Sequence, residues 1–168
     1  MKQGFEIERK YIIKMPDISF LEKCADKIYY ITQSYIGKNT DGFNCRIRKA
    51  IENGKAMFYY TEKKNISKIK RIENECFIDE QTYNTLFDKR LKNRNVIEKT
   101  RYVICKNGLN YEIDIYPFWK NQATMEIELE DENIKPKLLE QIEILADVTY
   151  ETGYSNFELS IKIPDELI

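Results

Sequence analysis

The sequence predicts an α+β, mainly β protein: a closed eight-stranded antiparallel β-barrel with helices packed on the outside. Three observations lead there. Runs rich in β-branched and aromatic residues recur along the whole chain with period-two alternation. Turn signals such as Asn53-Gly54 and Asn107-Gly108 separate consecutive runs, so neighbours pair as hairpins. Within most runs one face is charged and the other apolar, because successive strand side chains point to opposite faces. The 168 residues suit one domain spanning 1–168, and no internal repeat or linker divides it. Few long connections favour closing the strands into a barrel.

The elements follow in order. Residues 3–13 form the first strand, with Glu6, Glu8 and Lys10 on one face and Phe5, Ile7, Arg9 and Tyr11 on the other. Pro16-Asp17 ends it and starts a short helix whose apolar side is Phe20, Leu21 and Cys24. The second strand covers 28–36, and Gly37 to Gly42 is a turn. The third, 43–50, puts Arg46 and Arg48 on one face. The fourth, 56–64, aligns Tyr59, Thr61 and Lys63; the fifth, 70–78, aligns Arg71, Glu73 and Glu75. Asp79 caps a helix running to about Leu91, with Tyr83, Leu86 and Phe87 inward. The sixth strand, 96–106, carries Lys99 and Arg101. The seventh, 109–116, alternates Glu112 and Asp114 with Ile113 and Ile115, and Pro117 ends it. The eighth, 123–130, alternates Glu126, Glu128 and Glu130 with Met125, Ile127 and Leu129. A helix over about 135–145 uses Leu138, Leu139, Ile142 and Leu145 as its packing side.

Composition removes several kinds of chemistry. Lys and Arg number 27 against 28 Asp and Glu, so the position of each sign matters more than the total. Histidine is absent, which excludes Ser-His and Cys-His nucleophile systems and His-rich zinc sites. The four cysteines, Cys24, Cys45, Cys76 and Cys105, form no CxxC pair. No apolar run reaches membrane-spanning length, and no secretory signal opens the chain. A cytoplasmic protein with reduced thiols is expected. Lys63, Lys64, Lys68, Lys70 and Arg71 are read as a phosphate-binding strand plus a solvated loop, not a nucleic-acid patch. Tyr29, Tyr30, Tyr59 and Tyr60 are read as strand packing, and Trp119 as a cap at the barrel edge. Arg9 and Lys49 lie on the outer face and are expected in surface salt bridges.

The charged faces are sorted by sign. Carboxylates cluster on the first, fifth, seventh and eighth strands, and bases on the third, fourth and sixth. A solvated surface needs no such sorting, and the helices need apolar strand faces to cover. The charged faces therefore point into the lumen. Two readings of that lumen stand. In one, the charges form an ion-pair network, which offsets part of the several kcal/mol that each buried ion costs. In the other, the lumen is wet and the bases grip a polyanion, with Arg offering bidentate and Lys point-charge contacts. Carboxylates beside a polyanion then require a hard divalent cation, magnesium or manganese, between them and the phosphates.

The same residues carry a resemblance. Glu6-Ile7-Glu8-Arg9-Lys10 resembles the ExExK signature of the CYTH superfamily, the triphosphate tunnel metalloenzymes. The likeness continues in order through Arg46-Ile47-Arg48, Tyr60-Thr61-Glu62-Lys63, Arg71-Ile72-Glu73-Asn74-Glu75, Glu98-Lys99-Thr100-Arg101-Tyr102, Glu112-Ile113-Asp114 and Glu126-Ile127-Glu128. Val148-Thr149 and Tyr154-Ser155-Asn156 are similar to the C-terminal stretch of bacterial members, though Thr152, Gly153 and Ser155 stand where many carry bases. The resemblance implies a triphosphate tunnel that turns over triphosphate groups with Mg2+ or Mn2+. It implies Glu6, Glu8, Glu126 and Glu128 as metal ligands. It implies Lys10, Arg46, Arg48, Lys63, Lys99 and Arg101 as triphosphate-binding bases. Glu73 or Glu75 and Asp114 match further acids at the metal or the attacking water, and Lys10 stands with them at the catalytic centre. The superfamily includes inorganic, thiamine and RNA 5′-triphosphatases and class IV adenylate cyclases. This chain looks most like the bacterial inorganic triphosphatase and nucleotidase branch.

The expected activity is metal-dependent hydrolysis of inorganic triphosphate or a nucleoside triphosphate. The alternatives are a class IV-type adenylate cyclase and a non-catalytic triphosphate- or polyphosphate-binding module. Nucleic acid enters only as a 5′-triphosphate end.

Overall fold

The computed structural model describes residues 2–168. Its ring of strands is β1 (Lys2–Lys14), β2 (Lys27–Lys38), β3 (Asn44–Glu52), β4 (Lys55–Asn65), β5 (Lys70–Ile78), β6 (Ile97–Lys106), β7 (Leu109–Ile115) and β8 (Gln122–Glu128). The order around the ring is β5-β4-β3-β2-β6-β7-β8-β1, every pair is antiparallel, and β1 pairs with β5 to close it. A ninth strand, β9 (Ile144–Asp147), lies outside this ring against β1. The helices are α1 (Ile18–Cys24), α2 (Glu80–Asp88) and α3 (Asn156–Leu159).

The length of β1 makes the closure possible. Its Lys2–Ile7 half pairs with β5, its Glu8–Lys14 half pairs with β8, and Tyr11–Ile13 also take β9. The hairpin turns form where the sequence predicts them. Asn53 (φ 49°) and Gly54 (φ 77°), like Asn107 (φ 54°) and Gly108 (φ 76°), adopt the left-handed pair that a two-residue turn requires. β2 runs past the predicted turn at Gly37 to Lys38, through an irregularity in its register with β3 between Tyr35 and Gly37.

The hydrophobic core lies mainly outside the barrel. Tyr11 and Ile13 of β1, Tyr102 and Ile104 of β6, Tyr111 and Ile113 of β7, and Met125 and Ile127 of β8 are buried together. Leu21 of α1 and Leu139 and Ile142 of the segment before β9 cover them. Asp17 caps α1 by accepting the Phe20 N–H at 3.2 Å. Cys24, expected on the packing side, is exposed. On the other flank Tyr83 of α2 packs against Phe58 of β4, with ring centroids 5.0 Å apart and the rings tilted by 46°. A second apolar cluster of Ile12, Ile97, Tyr116, Trp119, Val148 and Leu159 plugs one end of the barrel. Trp119 sits inside that plug, where its indole donates to the Pro164 carbonyl at 3.1 Å.

Four expectations need correction. Residues 135–145 are not helical. The edge of β1 beyond β5 is free, and β9 takes it, with the Lys14 N–H donating to the Glu143 carbonyl at 3.0 Å and the Val148 N–H to the Lys10 carbonyl at 3.0 Å. Leu139 and Ile142 still reach the core, through a tight turn closed by an Ile142 N–H to Leu139 carbonyl bond at 3.0 Å. α2 stops at Asp88, and the Leu91 N–H goes to the Tyr35 carbonyl at 2.9 Å. β8 stops at Glu128, so Glu130 belongs to the turn that follows. Lys49 makes no salt bridge among the described residues and sits 5.9 Å over the Phe58 ring, whereas Arg9 pairs with Asp147 at 3.8 Å. Among the described residues, no helix is long and apolar enough to cross a membrane.

Leu21 is fully buried between α1 and the barrel. Leu21→Ala is expected to cost about 2–5 kcal/mol, read as a lowered urea midpoint at unchanged slope. A midpoint equal to wild type would show that α1 does not seal the outer core.

Candidate functional site

The strand register carries one face of every strand into the lumen. Arg48 of β3 lies opposite Gln33 of β2 and Tyr59 of β4; Glu73 of β5 lies opposite Lys63; Glu126 of β8 lies opposite Lys10 and Glu112. These faces enclose a cavity of about 760 Å³. Lys10, Arg46, Arg48, Lys63, Lys99, Arg101, Glu6, Glu8, Glu73, Glu75, Glu126 and Glu128 all line it. Asp114 alone of the predicted site residues stands behind the lining, fully buried.

Asp114 holds two of the bases. It accepts from Lys99 at 2.5 Å and from both Nε and Nη2 of Arg101 at 2.7 Å. Arg101 also binds Glu126 at 2.9 Å and Glu112. Lys10 binds Glu126 at 2.5 Å and donates to the Tyr154 carbonyl at 3.1 Å. Its backbone N–H goes to the Thr149 hydroxyl at 3.1 Å. The C-terminal segment thus fixes the third residue of the Glu-Glu-Lys signature.

Arg46 and Arg48 are held more loosely. Arg48 reaches Glu75 at 3.2 Å, and Thr61 donates to the same carboxylate at 2.8 Å. The only carboxylate contact of Arg46 among the described residues is Glu73, at 3.9 Å, because Glu73 also binds Lys63. The Nε atoms of both arginines are buried with no hydrogen-bond partner among the described residues. A buried donor left unpaired is costly, so these two point to a ligand that accepts from them. Burial, then Arg46 close by, lowers the Arg48 guanidinium pKa below its usual value. An anion between the two relieves that repulsion.

The carboxylates are uneven too. Glu6 binds Lys63 at 2.9 Å and Arg71 at 2.6 Å. Burial raises its pKa, but Lys63 and Arg71 outweigh burial and hold the carboxyl well below its usual range. Burial likewise opposes ionisation of Glu126, and Lys10 and Arg101 overcome it. Glu8 has Arg71. Glu128, opposite Glu8 in the register, has no cationic partner among the described residues. Burial, followed by Glu112, Glu6 and Glu8, pushes its carboxyl up to about 7. Glu112 is also raised, chiefly by burial.

This imbalance is the test of whether a divalent cation fits. The donors are all oxygen, as a hard cation prefers, and Glu128 itself has no cationic partner among the described residues. Among the described residues no three acids already converge as a cage. A cation bound here would be held by one or two of these carboxylates and completed by other oxygens, as magnesium often is.

The structure adds residues that the sequence reading left out. Arg71 lies in the lumen between Glu6 and Glu8, on the strand face that the sequence predicts it to share with Glu73 and Glu75, although it is not among the predicted site residues. The signal was its period-two spacing with Glu73 and Glu75. Glu112 joins by the same logic from Asp114. Gln33 and Tyr35 of β2, linked at 2.9 Å, also line the cavity, and no charge in the sequence marks them.

No protein-family model matches the chain, and no curated protein matches it. Solved structures do match. The inorganic triphosphatase NE1496 is similar over 95% of this chain and 97% of its own, with a TM-score of 0.56 at 24% identity. The PH1819 protein from Pyrococcus horikoshii is similar over 76% of this chain and 80% of its own, with a TM-score of 0.55 at 23% identity. A conserved hypothetical protein from Pyrococcus furiosus gives a TM-score of 0.53 at 19% identity, over 75% of this chain and 80% of its own. The likeness is one of fold, and it agrees with the barrel that the ordered motifs imply.

Lys99 yields a pH prediction. Burial, then Arg101, lowers its pKa to about 8, against the partial support of Asp114 and Glu126. A lysine with a depressed pKa loses its charge as pH rises through that lower value. Affinity for inorganic triphosphate should therefore fall, relative to Lys99→Arg, between about pH 7 and 9. The ligand's own titration is common to both proteins and cancels in the ratio. Parallel pH profiles by calorimetry would contradict this assignment.

Proposed function

We propose that this chain is a triphosphate tunnel metalloenzyme of the CYTH superfamily. Its reaction is hydrolysis of the terminal phosphoanhydride of inorganic triphosphate or a nucleoside triphosphate, with Mg2+ or Mn2+. One observation carries the reading: a closed barrel of this fold turns its bases and carboxylates inward around a cavity, and leaves buried arginine donors there without partners.

The residues divide the work as follows. Arg46 and Arg48 grip the phosphate chain through planar guanidinium contacts, including the free Nε atoms. Lys63, Lys99, Arg101 and Lys10 add point and forked charges along the lumen. Asp114 is a positioning residue that holds Lys99 and Arg101 aimed at the chain. Glu6, Glu8, Glu126 and Glu128 would hold the divalent cation. The bound cation supplies charge stabilisation on the phosphate oxygens and lowers the pKa of water. Water oxygen bonds to the terminal phosphorus as the bridging oxygen leaves with its electron pair on the diphosphate. Glu73 and Glu75 stand beside Arg46 and Arg48, where a proton released from that water finds an acceptor. Developing negative charge meets fixed cations that need no reorganisation, which is the main source of rate in such transfers. The products are phosphate and diphosphate, or phosphate and a nucleoside diphosphate. The thiols, all unpaired, fit a reducing cytoplasm.

Glu126→Gln tests the reading. At saturating Mg2+ or Mn2+ the variant is expected to lose about 10²-fold or more in phosphate release from inorganic triphosphate, and EDTA to abolish release by the wild-type protein. Circular dichroism checks that the variant is folded, since Glu126 pairs with Lys10 and Arg101. Full activity in the variant, or release that ignores EDTA, would overturn the proposal.

A further inference from the structure

Arg71 is a lumen base, ion-paired to two carboxylates, that the proposed mechanism does not use. Its Nε donates to Glu6 Oε2 at 2.6 Å, and its Nη2 binds Glu8 Oε1. One planar fork therefore spans two carboxylates that the metal reading assigns to the cation. Among the described residues Glu8 has no other cationic partner, whereas Glu6 also has Lys63 at 2.9 Å. The Arg71 side chain lines the cavity and is 20% exposed, so it has room to turn.

Resting on that metal reading, we propose that Arg71 is a displaceable counter-ion. It neutralises Glu6 and Glu8 before a cation binds, and yields them only when a phosphate chain is present to receive its guanidinium. Arg71 occupies an oxygen of each carboxylate, so a divalent cation that takes those oxygens meets the guanidinium's like charge at contact distance. Release of Arg71 into water leaves a long, half-buried cation without its ion pairs. Release onto a phosphate replaces them with charge-assisted, bidentate bonds of equal kind. Cation and triphosphate then bind with positive coupling, and the coupling acts in both directions. Free cation is kept out of a tunnel that holds no substrate.

The competing role is a fixed bolt. Arg71 and Glu6 are direct register partners on β5 and β1, the seam that closes the barrel. A bolt stabilises the seam and never leaves it.

Mn2+ binding separates the two. Free and bound Mn2+ are read by electron paramagnetic resonance for wild type, Arg71→Gln and Arg71→Lys. Each is measured alone and with diimidotriphosphate, whose bridging nitrogens resist hydrolysis. Wild type is expected to bind Mn2+ weakly alone and more than about tenfold tighter with the analogue. Arg71→Gln is expected to bind Mn2+ alone about tenfold tighter than wild type and to gain less from the analogue. Arg71→Lys, whose ammonium reaches one carboxylate at a time, falls between and serves if the Gln variant does not fold. Equal or weaker Mn2+ affinity in the variants overturns the counter-ion role while leaving the metal reading intact. No Mn2+ binding by wild type, even with the analogue, removes both.

Discussion

The fold depends on keeping opposite charges inside a closed sheet. Burying ions costs several kcal/mol each unless they are paired, and here the strand register supplies the pairs. Lys63 meets Glu73 and Glu6, Arg48 meets Glu75, Lys99 and Arg101 meet Asp114, and Lys10 meets Glu126. The apolar faces then have to be buried on the outside. That is why α1, α2 and the segment before β9 wrap the barrel, and why an apolar plug around Trp119 closes one end.

Pairing is incomplete in two places, and those places define the chemistry. Arg46 and Arg48 keep buried donors free. Glu128 has no cationic partner among the described residues, and burial with Glu112, Glu6 and Glu8 resists its ionisation. An ion-pair network built only for stability would satisfy both. On the proposed function both are left open for ligand, a polyanion at the arginines and a cation at the carboxylates. Asp114 fixes Lys99 and Arg101 from behind the lining, and Thr149 fixes the backbone of Lys10.

Much of this was legible in the sequence because a strand has a strict period of two. Once Glu6, Glu8 and Lys10 share a face, so do Arg46 with Arg48 and Glu126 with Glu128, and the structure puts them all on the cavity. The sequence puts Arg71 on the strand face of Glu73 and Glu75 but does not mark it as a site residue, because it falls in one basic run with Lys68 and Lys70. The segment 135–145 escaped for another reason. Its leucine and isoleucine spacing matches a helix, but the free edge of β1 takes the chain as β9. That edge is left by pairings with strands distant in sequence, so no local pattern announces it. Gln33 and Tyr35 carry no charge to mark them; only register brings them beside Arg48 and Arg46.

The measurement that tests the central claim most directly is calorimetric titration of the folded protein with inorganic triphosphate at moderate salt, alongside the Arg46→Met/Arg48→Met double variant. The account predicts saturable binding at one site per wild-type chain, weakening with added salt, and lost in the double variant while its fold persists. Absence of binding to a folded wild-type protein would contradict it. The lumen charges would then serve only to hold the barrel together.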